Sequence, residues 1–120
     1  SDENPGPWRG LLSPQIECAN ARRGVKNFLA ARKDQKKLLA QLARLGGDVL
    51  ELRKIGRQMD KMLALHKRAA MRCVKHPLPL DVLPITKEES ADYYKLSKAY
   101  GEKAYEICIP LMDRGLTSYC

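Results

Sequence analysis

Residues 42–51 read LARLGGDVLE, and the reading of Gly46-Gly47 within them decides the fold. Upstream, Phe28, Ala31, Gln35, Leu38, Leu42 and Leu45 step by threes and fours, the spacing of one apolar helix face. Downstream, Val49, Leu52, Gly56, Met59, Leu63, His66, Ala70 and Cys73 continue the same register, and Ile55 and Met62 widen it. One unbroken coiled coil would keep that register too. Two adjacent glycines, however, cost a helix interior about 2 kcal/mol relative to alanine. Directly after them, Asp48 and Glu51 have capping-box spacing, in which the first side chain takes a free N–H and the second reaches back. A stop followed by a start predicts two helices, about 14–45 and about 49–75. At 1.5 Å per residue each is roughly 40–48 Å long. Similar lengths around a tight turn suit an antiparallel hairpin.

The flanking signals agree. Ser13-Pro14 is an N-cap followed by proline at the first helical position, where its missing N–H does no harm. The segment His76-Pro77-Leu78-Pro79 stops the second helix. Thr86 and Glu89 form another capping-box pair, opening a third helix over about 87–110 that Pro110 or Gly115 ends. Tyr93, Leu96, Tyr100, Ala104, Ile107 and Leu111 give this helix its apolar face. Residues 1–12, SDENPGPWRGLL, read as an extended arm with Trp8, Leu11 and Leu12 as surface anchors. Asn4-Pro5-Gly6-Pro7 resembles the end of a ribosome-skipping peptide but lacks the residues that precede it there, so it reads as a turn-rich tail. Residues 13–120 are expected to form one all-α domain, a long hairpin with a third helix packed across it.

Charge is unevenly distributed along the chain. The formal net charge is +8, yet residues 21–76 carry 16 Lys/Arg against 4 Asp/Glu. Arg22, Lys26, Lys33, Lys37 and Arg44 recur four or seven apart on the first helix, away from the leucines. Arg53, Arg57, Lys61, Arg68 and Arg72, with Lys75, do the same on the second. An ordinary solvated face mixes both signs; rows of one sign can neutralise successive phosphates of a polyanion. Phe28, the only aromatic of this stretch, sits on the core face, so stacking on unpaired bases has no platform. A nucleic acid bound here would be read through its backbone or shape.

Catalysis has no foothold in the sequence, which contains no GxSxG, no phosphate-cradling glycine loop, no HExxH and no aspartate cluster. His66 falls on the apolar face and is expected to be a core histidine, while His76 closes the second helix. Tyr93 and Tyr100 are expected in the core, with Tyr94 and Tyr105 at the rim. No metal or cofactor is implied, because the cysteines form no CxxC pair and no cluster with histidine. The blandest reading of Cys18, Cys73, Cys108 and Cys120 is four free, mostly buried thiols in a reducing, intracellular setting. The hairpin nevertheless brings Cys18 and Cys73 to one end, within reach of a bridge. No apolar run approaches the roughly 20 residues of a membrane span.

These observations lead to an expected function. The chain reads as a non-enzymatic assembly subunit whose basic hairpin lies along a polyanion, most naturally RNA in a ribonucleoprotein. Its arm and third helix would hold protein neighbours. Two alternatives stand beside this: a coiled-coil adaptor for an acidic protein, and a secreted, disulfide-bonded helical bundle with a signalling or gamete-surface role.

Overall fold

A computed structural model describes residues 14–76, 78 and 82–120. The N-terminal arm, the Ser13 cap and the prolines Pro77 and Pro79 lie outside the described residues. Three helices account for the fold: α1 (Pro14–Arg44), α2 (Leu50–Lys75) and α3 (Lys87–Asp113). The shape is elongated, 55 × 27 × 18 Å. α1 and α2 form the expected antiparallel hairpin, and α3 packs across one of its faces, so the architecture is an all-α, three-helix bundle.

The turn is built on the paired glycines. Gly46 has φ +92°, a left-handed conformation that a side chain would strain. Its N–H donates to Ala43 O at 3.0 Å, and the Gly47 N–H donates to Leu42 O at 2.9 Å. That pair of bonds is the Schellman ending, which satisfies two carbonyls left over by the last turn of α1. Gly47 is needed for a different reason: a Cβ there would stand 2.7 Å from the Ile107 Cγ2 of α3. The second start differs from expectation. Val49, buried in the core, occupies the N-cap position of α2 and makes no side-chain cap. Asp48 sits one residue earlier and accepts the Leu50 N–H at 3.2 Å. Glu51 does not reach back; it faces Lys54 instead. Burial of Val49 sets the entry and leaves half of the capping box unmade.

The start of α3 is as expected, with both reciprocal bonds of Thr86 and Glu89 in place. Its end is not at Pro110. The helix continues to Asp113, and Gly115 (φ +74°) closes it with Leu116 N–H to Leu111 O and Gly115 N–H to Met112 O, both at 2.9 Å. This is a second Schellman ending, and it carries the helix past the proline far enough to bury Leu111.

The core contains Leu42, Val49, Leu52, Met59, Leu63, Tyr93, Tyr100, Ala104, Cys108 and Leu111. All seven expected positions from Leu52 to Cys73 on α2 are buried. α1 departs from expectation. Ala31 and Leu38 are exposed, and Arg32, 5% exposed, takes the inward position between Phe28 and Gln35. Its guanidinium lies against Gly56 of α2, where a Cβ would collide with it. Nε donates to Asp60 Oδ1 at 2.9 Å, and the cation stands 5.1 Å from the centre of the Tyr100 ring. Tyr100 donates its hydroxyl to Gln35 O at 3.0 Å, and the Gln35 amide donates to Ser97 Oγ at 3.3 Å. One buried cation therefore joins all three helices.

The thiol expectation is also corrected. Cys18 and Cys73 are bonded across the open end of the hairpin with Cα atoms 5.9 Å apart, the pairing that the geometry allowed. Cys108 and Cys120 form a second, unforeseen bridge that ties the C-terminal tail to α3. No free cysteine remains among the described residues. In the chain-entropy model a loop as long as the first restricts the unfolded chain by about 4 kcal/mol, and the second by about 3 kcal/mol.

The buried arginine generates the first prediction. Asp60→Asn removes the charge opposite Arg32 while the guanidinium stays enclosed. The Asp60 side chain is 42% exposed, so the loss falls between that of surface and fully buried pairs, about 2 kcal/mol. Arg32→Met added to Asp60→Asn recovers most of it, as urea denaturation of the single and double variants will show.

Candidate polyanion interface

Two sets of contacts fix which way each helix of the hairpin faces. Arg32 and Lys36 of α1 meet Asp60 of α2, which marks the sides on which these helices face each other. Phe28 of α1 packs against Tyr93 with tilted rings 4.7 Å apart, and His66 of α2 lies 6.4 Å from the same ring, which marks the sides facing α3. At 3.6 residues per turn, going around α1 from Arg32 in one direction leads to Phe28, Gln35 and Leu42. The other direction leads to Arg22, Lys26, Lys33 and Lys37. Going around α2 from Asp60, one way leads through Leu63 and Met59 to His66, and the other to Arg53, Arg57, Lys61 and Arg68. Because the helices are antiparallel, both basic rows emerge on the same side, the face of the hairpin that α3 leaves uncovered.

All ten predicted residues, Arg22, Lys26, Lys33, Lys37, Arg44, Arg53, Arg57, Lys61, Arg68 and Arg72, are exposed. Among the described residues, the salt bridges formed engage Arg32, Lys36, Lys54 and Lys103, and none of the ten. Asp60 is the acid of this face, and Arg32 and Lys36 take one of its oxygens each. Among the described residues these cations are therefore unneutralised, and like charges in rows hold a raised potential. Arg44 is the exception in direction, since its long side chain also lines a crevice between α1, α3 and the tail.

The remaining expectations are placed as follows. His66 is 3% exposed, its Nδ1 has no hydrogen-bond partner, and burial lowers its pKa against a smaller opposing effect of Glu89. Burial pushes the Tyr93 phenol up to about 12, with Arg32 opposing and Asp60 reinforcing the shift. Tyr93 and Tyr100 are core residues, while Tyr94 and Tyr105 are exposed. Among the described residues, no group of three His, Cys, Asp or Glu side chains could hold a metal ion. No helix of the described residues is long and apolar enough to cross a membrane.

Sequence reasoning missed the Arg32 centre, the Cys108–Cys120 bridge and the crevice. One signal for the first was present: Gly56, on the apolar face of α2, lies four residues before Asp60. A gap and a carboxylate one turn apart make a berth for a long cation. In comparison with known proteins, no family model matches the chain, and neither does any curated protein or solved structure.

The enclosed histidine gives a prediction with a definite sign. With its folded pKa below the unfolded value of 6.5, the folded state binds fewer protons in that interval. Its stabilising contribution is complete above the unfolded pKa and is lost as pH falls toward the folded pKa. Urea midpoints measured from about pH 7.5 down to about pH 5 should drop for the native chain and drop less for His66→Gln.

Proposed function

We propose that this chain is a non-catalytic helical subunit that lays the uncovered face of its hairpin along a polyanion, with the backbone of RNA in a ribonucleoprotein as the partner. The observation that carries this reading is the common side: nine of the ten cations point from two helices toward the face opposite α3, and none has an ion pair among the described residues. A helical rod with two rows of cations follows a phosphate backbone by charge and shape. The core is built from aliphatic side chains and inward tyrosines, and among the described residues that face carries no aromatic platform, so binding is expected to be insensitive to sequence. The Cys18–Cys73 bridge and the Arg32 centre hold the rows in fixed relation, which limits the ordering cost on binding.

A second reading has one specific observation in its favour. All four cysteines are paired, as in proteins of oxidising compartments, which favours a secreted helical bundle with a signalling or gamete-surface role.

The test neutralises part of the face. In Arg53→Gln/Arg57→Gln/Lys61→Gln, anisotropy with short RNAs of unrelated sequence should show affinity falling about equally for each. The salt slope between about 50 and about 200 mM should flatten by somewhat under one unit per contact removed. Circular dichroism should be unchanged, because Leu52, Ile55, Met59 and Met62 are untouched. Salt-independent or absent RNA binding by the native chain would overturn the proposal in favour of a protein partner.

A further inference from the structure

Glu17 is an enclosed acid for which the fold provides no partner. It lies in the first turn of α1 and is 6% exposed. Its Oε1 has no hydrogen bond, and its carboxylate takes part in no ion pair among the described residues. Arg32, Gln35 and His66 also leave one buried atom without a partner. Arg32 and Gln35, however, bond through their remaining atoms, and burial lowers the pKa of His66. The positive end of α1 favours an anion at the position of Glu17 but gives Oε1 no donor. An enclosed carboxylate needs a donor, and above all a cation, to meet it.

Glu17 borders a cavity of about 160 Å³ between α1 and the segment that leads into α3. Val25 and Phe28 on one side and Leu83 and Ile85 on the other give this cavity apolar walls. Asn20 and Ser90 are its other polar side chains, and Glu17 carries its only charge among the described residues. Arg23 donates to Asn20 Oδ1 at 3.2 Å instead of turning to Glu17. These groups select a ligand by exclusion. An anion would be repelled. A divalent metal ion needs more oxygen ligands than one carboxylate supplies, and no group of three suitable side chains stands among the described residues. A guanidinium has five N–H donors to place, too many for one carboxylate and one hydroxyl, whereas an ammonium has three. Since a cavity of about 150 Å³ encloses a six-carbon ring, this one has room for an ammonium on a chain of about four carbons.

We propose that this cavity binds a short primary alkylammonium ion, with its N–H groups on the Glu17 carboxylate and the Ser90 hydroxyl and its alkyl chain against Val25, Phe28, Leu83 and Ile85. The site lies on the α3 side of the hairpin, around α1 from the basic rows, so the charge of the ligand and theirs are kept apart. It does not rest on the polyanion reading, and either can fail alone.

Titration of the isotope-labelled, oxidised full chain with butylammonium chloride at constant ionic strength, followed by amide chemical shifts, tests this. Saturable changes are expected at Glu17, Gly24 and Ser90, with a Kd on the order of 1 mM. Butanol, which has the chain without the charge, should bind at least about tenfold more weakly. Glu17→Gln, which keeps the shape of the side chain, should weaken butylammonium by a similar factor. Gly24 lines the cavity, and a Cβ there meets nothing within 4 Å. Gly24→Leu should therefore fill the site and abolish binding with helicity unchanged. A blocked lysine amide, run beside butylammonium, separates two sources of the same group. Changes at the same three residues assign the site to a protein's lysine side chain, and their absence assigns it to a free amine. No saturable change at those residues up to about 50 mM butylammonium overturns the proposal. So does binding that survives Glu17→Gln or Gly24→Leu, or butanol that binds as tightly.

Discussion

The structure depends on where the guanidinium of Arg32 is held. A buried cation is tolerated only with a partner and a fitted space. Asp60 supplies the charge, Gly56 the space, and the Tyr100 ring a face on which the cation rests. These groups come from α1, α2 and α3, so meeting the needs of one side chain fixes the mutual rotation of the helices. The tyrosine in turn is held by its hydroxyl on Gln35 O. Purely aliphatic helices could slip by a turn with little loss of buried area; this arrangement cannot, because a slip strands a charge.

The proposed function rests on that rotation. With Arg32 and Asp60 inward, the residues that follow them around each helix emerge on the side away from α3. Those residues are the lysines and arginines. α3 acts as a backing layer that shields the apolar side of the hairpin and adds an acidic helix remote from the basic face. The Cys18–Cys73 bridge closes the open end of the hairpin and the Schellman turn closes the other, so both ends of the pair of rows are tied.

Most of this was legible from residue spacing, for physical reasons. α2 has strict heptads with small or apolar residues at each inward position but His66, and every expected position is buried. Glycine at a helix end has a local conformational cause, so the Gly46 turn could be read from a few residues. The α3 capping box could be read for the same reason. The failures were tertiary. Arg32 looks like another surface cation until Gly56 is seen to leave space on a different helix. Asp48 loses its full capping role because Val49, next to it, is drawn into the core. Pro110 does not end α3 because its carbonyl can still accept, and Leu111 beyond it has a place to be buried. The Cys108–Cys120 bridge depended on the tail turning back after Gly115, which heptad spacing cannot reveal.

The central claim is that the basic rows of α1 and α2 form one working face and that α3 stands behind it. Amide chemical shifts of the isotope-labelled, oxidised chain, followed while a short single-stranded RNA is added, test this most directly. The account predicts changes concentrated at Arg22, Lys26 and Lys33 on α1 and at Arg53, Arg57, Lys61 and Arg68 on α2, with the outer side of α3 unmoved. Changes centred on α3, or spread evenly over the three helices, would contradict it.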